Sequence, residues 1–283
     1  MAITSLMKKI LVTTDFSANS KAAMRFAIQF ASQCDVALTF LHISHIPRPT
    51  TWTETTYTAH EKSELDRVRE TLSHFVESVY KSREIDPANY TCVVKNSPFT
   101  DSTIKDYAAD HAFDYICISA RGAGMFEKLF GTTTSNLINQ SSVPVIAVPG
   151  NYRTSKLTTV LYASDLSSLA PQLTRVVNFA EPLGAIVELL HFSTALEPVI
   201  DPEIIDLAIQ KHTDYPIAVH LKPRHLVHTL TADIEGVIKA QKPSVLIMFT
   251  TQNEGFFDRL FRSGNSIDCS FLTTVPLLVF SNP

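Results

Sequence analysis

The stretch Ser119-Ala-Arg-Gly-Ala-Gly-Met-Phe-Glu-Lys-Leu-Phe-Gly-Thr-Thr-Thr134 decides how this chain is organised. An apolar run, Tyr115-Ile-Cys-Ile118, precedes it, and a helix-like segment over 135–140 follows it. The pattern predicts a strand, a glycine-bearing loop, and a helix that opens at Gly131 with three threonines in its first turn. Backbone N–H groups and the helix dipole favour an anion at such a helix start. Taken alone, the signal is weak, because many strand–glycine–helix turns in α/β proteins serve only to make the turn.

Composition and charge are those of an ordinary globular protein. The chain has 283 residues, 45% hydrophobic and 18% charged, and a formal net charge of -4. We therefore expect neither nucleic acid nor an anionic membrane as a partner. The longest apolar runs are strand-sized and the N-terminus lacks a long apolar region, so we expect no membrane span and no signal peptide. The four cysteines are scattered singly, which is typical of a reducing compartment and predicts a cytoplasmic protein.

Strand and helix patterns alternate up to about residue 149. The strands are apolar throughout, as parallel strands covered on both faces should be. The patterns predict strands at 10–12, 36–43, 90–95, 115–119 and 143–148, and helices at 23–31, about 60–81 and 100–111, besides the helix after the loop. A Pro/Thr-rich loop is expected at 47–58, and a polar linker at 150–155. This alternation predicts a parallel α/β sheet.

The same plan starts again after the linker. The matching segments, first copy against second, are 10–17 with 160–167, 38–43 with 187–192, 124–130 with 255–261, and 143–148 with 275–280. Four matches in the same order predict an internal duplication, with domains at 1–150 and 151–283. Helices of the second copy are predicted at 170–180, 202–212 and 226–241.

These motifs together resemble the universal stress proteins, in the tandem form with two such domains. They are a strand ending in Asp15 and then Ser17, a strand ending in Leu-His-Ile at 41–43, and a loop similar to Gly-x2-Gly-x9-Gly-Ser/Thr before a Val-Pro strand. The resemblance covers essentially the whole chain. It implies an α/β fold of two tandem domains, each a five-stranded parallel sheet with helices on both faces (Rossmann-like), packed as a pseudo-dimer. It also implies that the Val-Pro strands, 143–148 and 275–280, pair across the domains.

The resemblance further implies an ATP site at the C-terminal ends of the first domain's strands, where open α/β sheets bind ligands. The implied residues are Thr14 and Asp15 near ribose and adenine, Ile43 at the adenine, Ile118 and Ser119 at the start of the loop, Arg121, Gly122 and Gly131 beside the phosphates, and Thr132, Thr133 and Thr134 at the helix start. A carboxylate suits ribose hydroxyls, and N–H groups suit phosphates. Asp15 as a mere cap of the following helix is the alternative.

Two departures from the family's pattern bear on ATP binding. Ser119 stands where the first glycine is expected, and the segment between Gly122 and Gly131 is one residue shorter than x9. Serine is small but resists positive φ. The second copy departs further, because Arg262 falls on Gly131 and Asn253 on Gly122. We expect a degenerate second domain that holds no nucleotide and is kept for pairing; a phosphate held by Arg262 itself is the alternative.

The sequence predicts a stress-response binding module. We expect it to bind ATP, or else AMP or ADP, together with Mg²⁺, and to meet a protein partner that the sequence does not identify. The oligomer is an intramolecular pseudo-dimer, with a homodimer of tandem chains left open. No base or water-positioning group is identifiable near a γ-phosphate, so at most slow ATP hydrolysis is expected. The other alternative is a nucleotide-free structural or interaction protein, which Ser119 and the shortened loop favour.

The ten histidines do not predict a metal site. His42 and His45 end a strand, and His225 and His228 would share a helix face at i, i+3. Neither pair gains a third ligand by local spacing. His42 and His191 occupy matching places in the two copies and are interpreted as strand-end packing residues.

Overall fold

The computed structural model describes residues 7–87, 89–120, 131–193, 200–225, 227–250 and 274–281. The first half contains β1 (Lys8–Thr13), α1 (Ser20–Ala31), β2 (Val36–Ser44), α2 (Glu54–Lys81), β3 (Tyr90–Asn96), α3 (Thr100–Asp110), β4 (Tyr115–Ala120), α4 (Thr132–Gln140) and β5 (Val145–Pro149). The second half contains β6 (Thr159–Ala163), α5 (Leu169–Ala180), β7 (Ile186–Ser193), α6 (Pro202–Gln210), β8 (Ile217–Pro223), α7 (Leu230–Gln241), β9 (Val245–Thr250) and β10 (Leu277–Ser281), with a 3-10 turn at Glu181–Leu183.

All ten strands belong to one sheet, in the order β3-β2-β1-β4-β5-β10-β9-β6-β7-β8. Neighbours within each half are parallel, and the order reverses direction between β1 and β4 and again between β6 and β9. The two halves join where β5 and β10 pair antiparallel, with Leu278 opposite Ile146. The predicted tandem α/β fold is confirmed, and the Val-Pro strands pair across the halves as the family resemblance implied.

The core lies on both faces of the sheet. Alternate residues of a strand point to opposite faces: Ile10 and Val12 belong to the cluster that α1, α2, α5 and α6 cover, whereas Leu11 belongs to the cluster under α3, α4 and α7. Both clusters continue from one half into the other, and the Phe30 and Phe179 rings meet at 5.4 Å between centroids. Burial on both faces explains why the strands are apolar without alternation.

The linker between the halves is bound along α1. Arg25 donates from Nη2 to the carbonyl oxygen of Tyr152 at 3.3 Å, and the Tyr152 ring packs edge-on against Phe26. Further along, the Gln33 side chain accepts from the N–H of Leu157 at 2.8 Å and donates to its carbonyl at 3.0 Å. Tyr152 and Leu157 are both buried. The segment that composition predicts as a polar linker is therefore held against α1 at the edge of the core.

Helix α2 begins earlier than the predicted start at about residue 60. Its first residue is Glu54, and the Thr53 hydroxyl accepts a hydrogen bond from the N–H of Thr56 at 3.2 Å. The Pro/Thr-rich composition predicted a loop over 47–58, but the last part of that stretch is helical. The sequence prediction was wrong there because one of several threonines is an N-cap.

Helix α7 begins later than predicted, at Leu230 instead of residue 226. The Thr229 hydroxyl caps it by accepting from the N–H of Ala232 at 3.2 Å. His225 and His228 therefore precede the helix and do not share a helical face, although their rings lie 4.4 Å apart.

We expect Leu278→Ala to destabilise the whole chain. Leu278 is 0% exposed on β10, and truncation of such a residue costs about 2–5 kcal/mol. Ile204→Ala is the control, because Ile204 is 62% exposed and surface substitutions change stability by about 0.5 kcal/mol or less. Urea unfolding measures both. Equal midpoints for the two variants would contradict a core that is continuous across the β5–β10 pair.

Candidate functional site

A cleft of about 610 Å³ opens at the C-terminal ends of β1, β2 and β4. It lies where the strand order reverses between β1 and β4, the place where open α/β sheets bind ligands. The sequence-predicted residues that line it are Thr14, Asp15, Ile43, Ile118, Ser119, Gly131, Thr132, Thr133 and Thr134. Arg121 and Gly122 lie outside the described residues. Every predicted site residue that the structure describes is thus at one cleft.

The Asp15 carboxylate both shapes a turn and faces this cleft. Its Oδ1 accepts a hydrogen bond from the N–H of Ser17 at 3.0 Å, while the residue as a whole is exposed. Burial alone would raise the pKa of Asp15, but hydrogen bonds from Ser17 and Ser20 outweigh it and hold the pKa below its ordinary value. Asp15 is therefore an ionised acceptor at neutral pH. Asp15 is not the cap of α1, whose N-cap residue is Asn19; its bond to Ser17 shapes the turn before the helix and is compatible with a ligand role.

The chain after β1 turns through a residue with left-handed backbone. Phe16 has φ 63°, and its N–H donates to the Thr14 hydroxyl at 3.0 Å. The second half builds the same turn, with Leu166 at φ 63° and its N–H donating to Ser164 at 3.0 Å. A non-glycine residue in this region costs about 1–3 kcal/mol. Because the turn recurs in both halves, it belongs to the scaffold and does not distinguish a nucleotide site.

His42 ties the end of β2 to the end of β1. Its Nδ1 lies 2.9 Å from the carbonyl oxygen of Thr14 and must carry the proton, since a carbonyl only accepts. His191 makes the matching bond to the carbonyl of Ser164, also at 2.9 Å. The strand-end role predicted for both histidines agrees with these contacts. His42 also lines the cleft and packs against Phe16 at 4.3 Å between ring centroids.

Ser119, which replaces the family's first glycine, lies within β4 in ordinary strand backbone. Ser119 is not one of the described non-glycine residues with positive φ. Its hydroxyl donates to the carbonyl of Asn19 at 2.7 Å and so joins β4 to the loop before α1. The Asn19 side chain in turn rests on Gly150, where an added Cβ would lie 2.9 Å from its Oδ1. A serine is thus accommodated without backbone strain.

The N-terminus of α4 lines the same cleft as Asp15. Gly131 is the N-cap residue, with extended backbone at φ -60° and ψ 157°, and no side chain caps the helix. Thr134 is buried and its hydroxyl donates to the carbonyl of Ser119 at 3.5 Å, whereas Thr132 is exposed at the cleft. The first-turn N–H groups of this helix are suited to an anion, which the helix dipole also favours.

Several cleft residues were not predicted as site residues. Thr100 and Ile104 of α3 also line the cleft, as do Ser17, Asn19 and Ser20 between the end of β1 and the start of α1. No local pattern marks Thr100 and Ile104 as site residues, because which strand ends they approach depends on how α3 packs on the sheet.

The second half repeats the scaffold of the site. Asp165 accepts from the N–H of Ser167 at 3.0 Å, as Asp15 does from Ser17. The turn that both halves share therefore explains why the second half has a carboxylate at Asp165. The residues that replace the loop glycines, Asn253 and Arg262, lie outside the described residues.

Three further observations concern the described part of the chain. No group of three or more His, Cys, Asp and Glu side chains there is placed to hold a metal ion. No helix within those ranges is long and apolar enough to cross a membrane. Cys34, Cys92 and Cys117 are free thiols; burial raises the pKa of Cys34 to about 11 and that of Cys117 further still.

The fold is that of a known class of α/β protein. The family model described as "Universal stress protein family" matches residues 7–149, and the chain belongs to this family. A universal stress protein from Archaeoglobus fulgidus DSM 4304 is similar at 17% identity, TM-score 0.69, covering 97% of this chain and 98% of that one. A putative universal stress protein from Pseudomonas aeruginosa UCBPP-PA14 is similar at 12% identity, TM-score 0.54, covering 97% and 93%. These likenesses show a shared fold; no curated protein matches the chain.

We expect Asp15→Asn to reduce stability at neutral pH and to have less effect in acid. The folded pKa of Asp15 lies below its ordinary value, which is about 3.9. The ionised group therefore stabilises the fold above that pH, and this contribution is lost as the pH falls through the folded pKa. Thermal midpoints at several pH values between neutral and strongly acid check this. A wild-type–variant difference that does not change with pH would contradict it.

Proposed function

We propose that the first half binds ATP in this cleft and that the protein acts as a nucleotide-responsive module in a stress response. The observation that carries the proposal is that an ionised carboxylate and an uncapped helix N-terminus line one cleft. A carboxylate accepts from ribose hydroxyls, and a helix N-terminus holds phosphates. One ligand that needs both is a nucleoside phosphate.

Size and lining support the same ligand class. About 610 Å³ is within the range of small-molecule sites, roughly 300–1,000 Å³. Ile43 and Ile118 offer apolar surface for a base near Asp15, and the threonines of α4 offer hydroxyls near the phosphates. Under this proposal the bound species is ATP with Mg²⁺, and AMP and ADP are the alternatives to test.

We further propose that the chain divides into domains at 1–150 and 151–283 and that the second binds no nucleotide. The replacement of two loop glycines by Asn253 and Arg262 supports this division of labour. Its role is then to complete the sheet through β10. Free thiols at Cys34, Cys92 and Cys117 support a reducing, cytoplasmic location. Nucleotide occupancy would bias contact with a protein partner, which remains to be identified by experiment.

Gly131→Arg should abolish ATP binding, and Gly131→Ala should retain it. Gly131 has backbone that any residue adopts, at φ -60° and ψ 157°, so neither change strains the fold. Arginine places a long side chain at the helix start, and it is the residue that aligns with Gly131 in the second copy, at Arg262. Isothermal titration with Mg·ATP measures affinity, and thermal midpoints confirm that both variants fold.

The outcomes of this titration separate the candidate functions. Absence of heat and of thermal shift with ATP, ADP and AMP in the wild type would overturn the nucleotide proposal and leave an interaction protein. Binding that survives Gly131→Arg would overturn the assignment of this cleft. Phosphate release measured on protein that binds ATP tests for the slow hydrolysis left open above.

Asp15 should account for recognition of the ribose hydroxyls. In the wild type, 2′,3′-dideoxy-ATP should bind about tenfold more weakly than ATP, because a hydrogen bond to a charged group contributes about 1.5–3 kcal/mol. In Asp15→Asn, which keeps an oxygen for the N–H of Ser17, the two nucleotides should bind within about twofold of each other. The same preference for ATP in both proteins would exclude Asp15 as the ribose ligand.

A further inference from the structure

Two side-chain hydrogen bonds join α3 to α4, two helices that line the cleft. Asn136 donates from Nδ2 to Oδ2 of Asp101 at 2.6 Å, and Lys105 donates from Nζ to Oε1 of Gln140 at 2.7 Å. The first bond is partly buried and the second is exposed. On α3 the two bonded residues, Asp101 and Lys105, are about one turn apart, and so are their partners on α4. The two helices therefore run side by side in a fixed register.

The Asp101–Asn136 bond is close along each helix to residues that line the cleft. Asp101 follows Thr100, which lines the cleft, and Asn136 is one turn beyond Thr132 at the helix start. Asp101 and Asn136 are not among the cleft-lining residues. Any effect of this pair on a ligand must therefore act through the position of α4.

The bond has the properties of a strong contact. The Asn136 hydrogen bond, more than any other cause, holds the pKa of Asp101 below its ordinary value, and Lys105 adds to the effect. The carboxylate also lies in the first turn of α3, where the helix dipole stabilises a negative charge. It therefore remains ionised throughout the neutral range, and a charge-assisted bond of this kind is about twice as strong as a neutral one.

The second half does not use this carboxylate. When the N-cap residues Phe99 and Thr229 are aligned, Thr231 of α7 takes the place of Asp101. Its hydroxyl donates to the hydroxyl of Thr229 at 3.1 Å, within its own helix start. The second half thus has no carboxylate at this position; the first-turn carboxylate of α7 is Asp233, two residues further along the helix.

We propose that Asp101 and Asn136 are a positioning pair that holds the N-terminus of α4 at the place where it meets the phosphates of a bound nucleotide. This inference depends on the proposed function of the same cleft. Helix α4 has only nine residues, so few contacts set its direction, and this bond acts one turn from the N–H groups that face the ligand. Loss of the bond should move those groups relative to Asp15.

The test compares ligands that differ in phosphate number. Asp101→Ala should weaken ATP binding about tenfold and leave adenosine within about twofold, because adenosine does not reach α4 in the proposed arrangement. AMP should fall between them. Asp101→Asn keeps an acceptor oxygen for Asn136 and should retain ATP affinity within about threefold of the wild type.

Two controls separate positioning from charge and from general damage. Asp110→Ala removes the same charge from the exposed far end of α3 and should leave both affinities unchanged. The double variant Asp101→Ala/Asn136→Ala should bind ATP no more weakly than Asp101→Ala alone, since the second change removes a partner already lost.

Each result of these titrations decides something different. If the wild type binds neither adenosine nor ATP, the proposed function fails and the pair has no ligand to position. If the wild type binds ATP and Asp101→Ala binds it equally well, the positioning role is overturned. It is overturned equally if adenosine and ATP lose affinity by the same factor, because that result indicates general disorder of the cleft.

Discussion

The antiparallel pairing of β5 with β10 is the interaction on which the rest of this molecule depends. It converts two five-stranded sheets into one and allows both hydrophobic clusters to run through the junction. Without it, each half would expose the backbone groups and apolar faces of an edge strand. The linker is a second, weaker tie, since Arg25 and Gln33 of α1 hold its backbone.

The duplicated scaffold and the binding site are separable features of this fold. Both halves have the same left-handed turn after the first strand, the same carboxylate in that turn and the same histidine at the next strand end. These contacts satisfy backbone groups wherever the strands end, so they persist with or without a ligand. In the first half, α4 and α3 approach those strand ends and line the cleft. Glycine at the start of α4 and the carboxylate of Asp101 belong to that approach.

Much of the fold could be predicted because its cause is local and repeated. Burial on both sheet faces makes each strand an apolar run, and the duplicated order of segments predicts two similar units. Helix starts were the weakest part, as Thr53 and Thr229 show. Threonine caps a helix only when the following backbone turns toward it, and composition does not reveal that turn. The composition of residues 47–58 therefore predicted a loop, although α2 already begins within this stretch.

The sequence by itself determined the class of fold, the pairing of the Val-Pro strands through the family resemblance, and the residues near the first strand ends. These follow from short segments whose chemistry is independent of distant neighbours. Only the tertiary structure decided that Ser119 needs no positive φ, that α3 forms a wall of the cleft, and that Asp101 meets Asn136 across 35 residues of chain. Such contacts join helices that pack on the same face of the sheet. Their partners are therefore set by strand order and helix packing, which no local pattern contains.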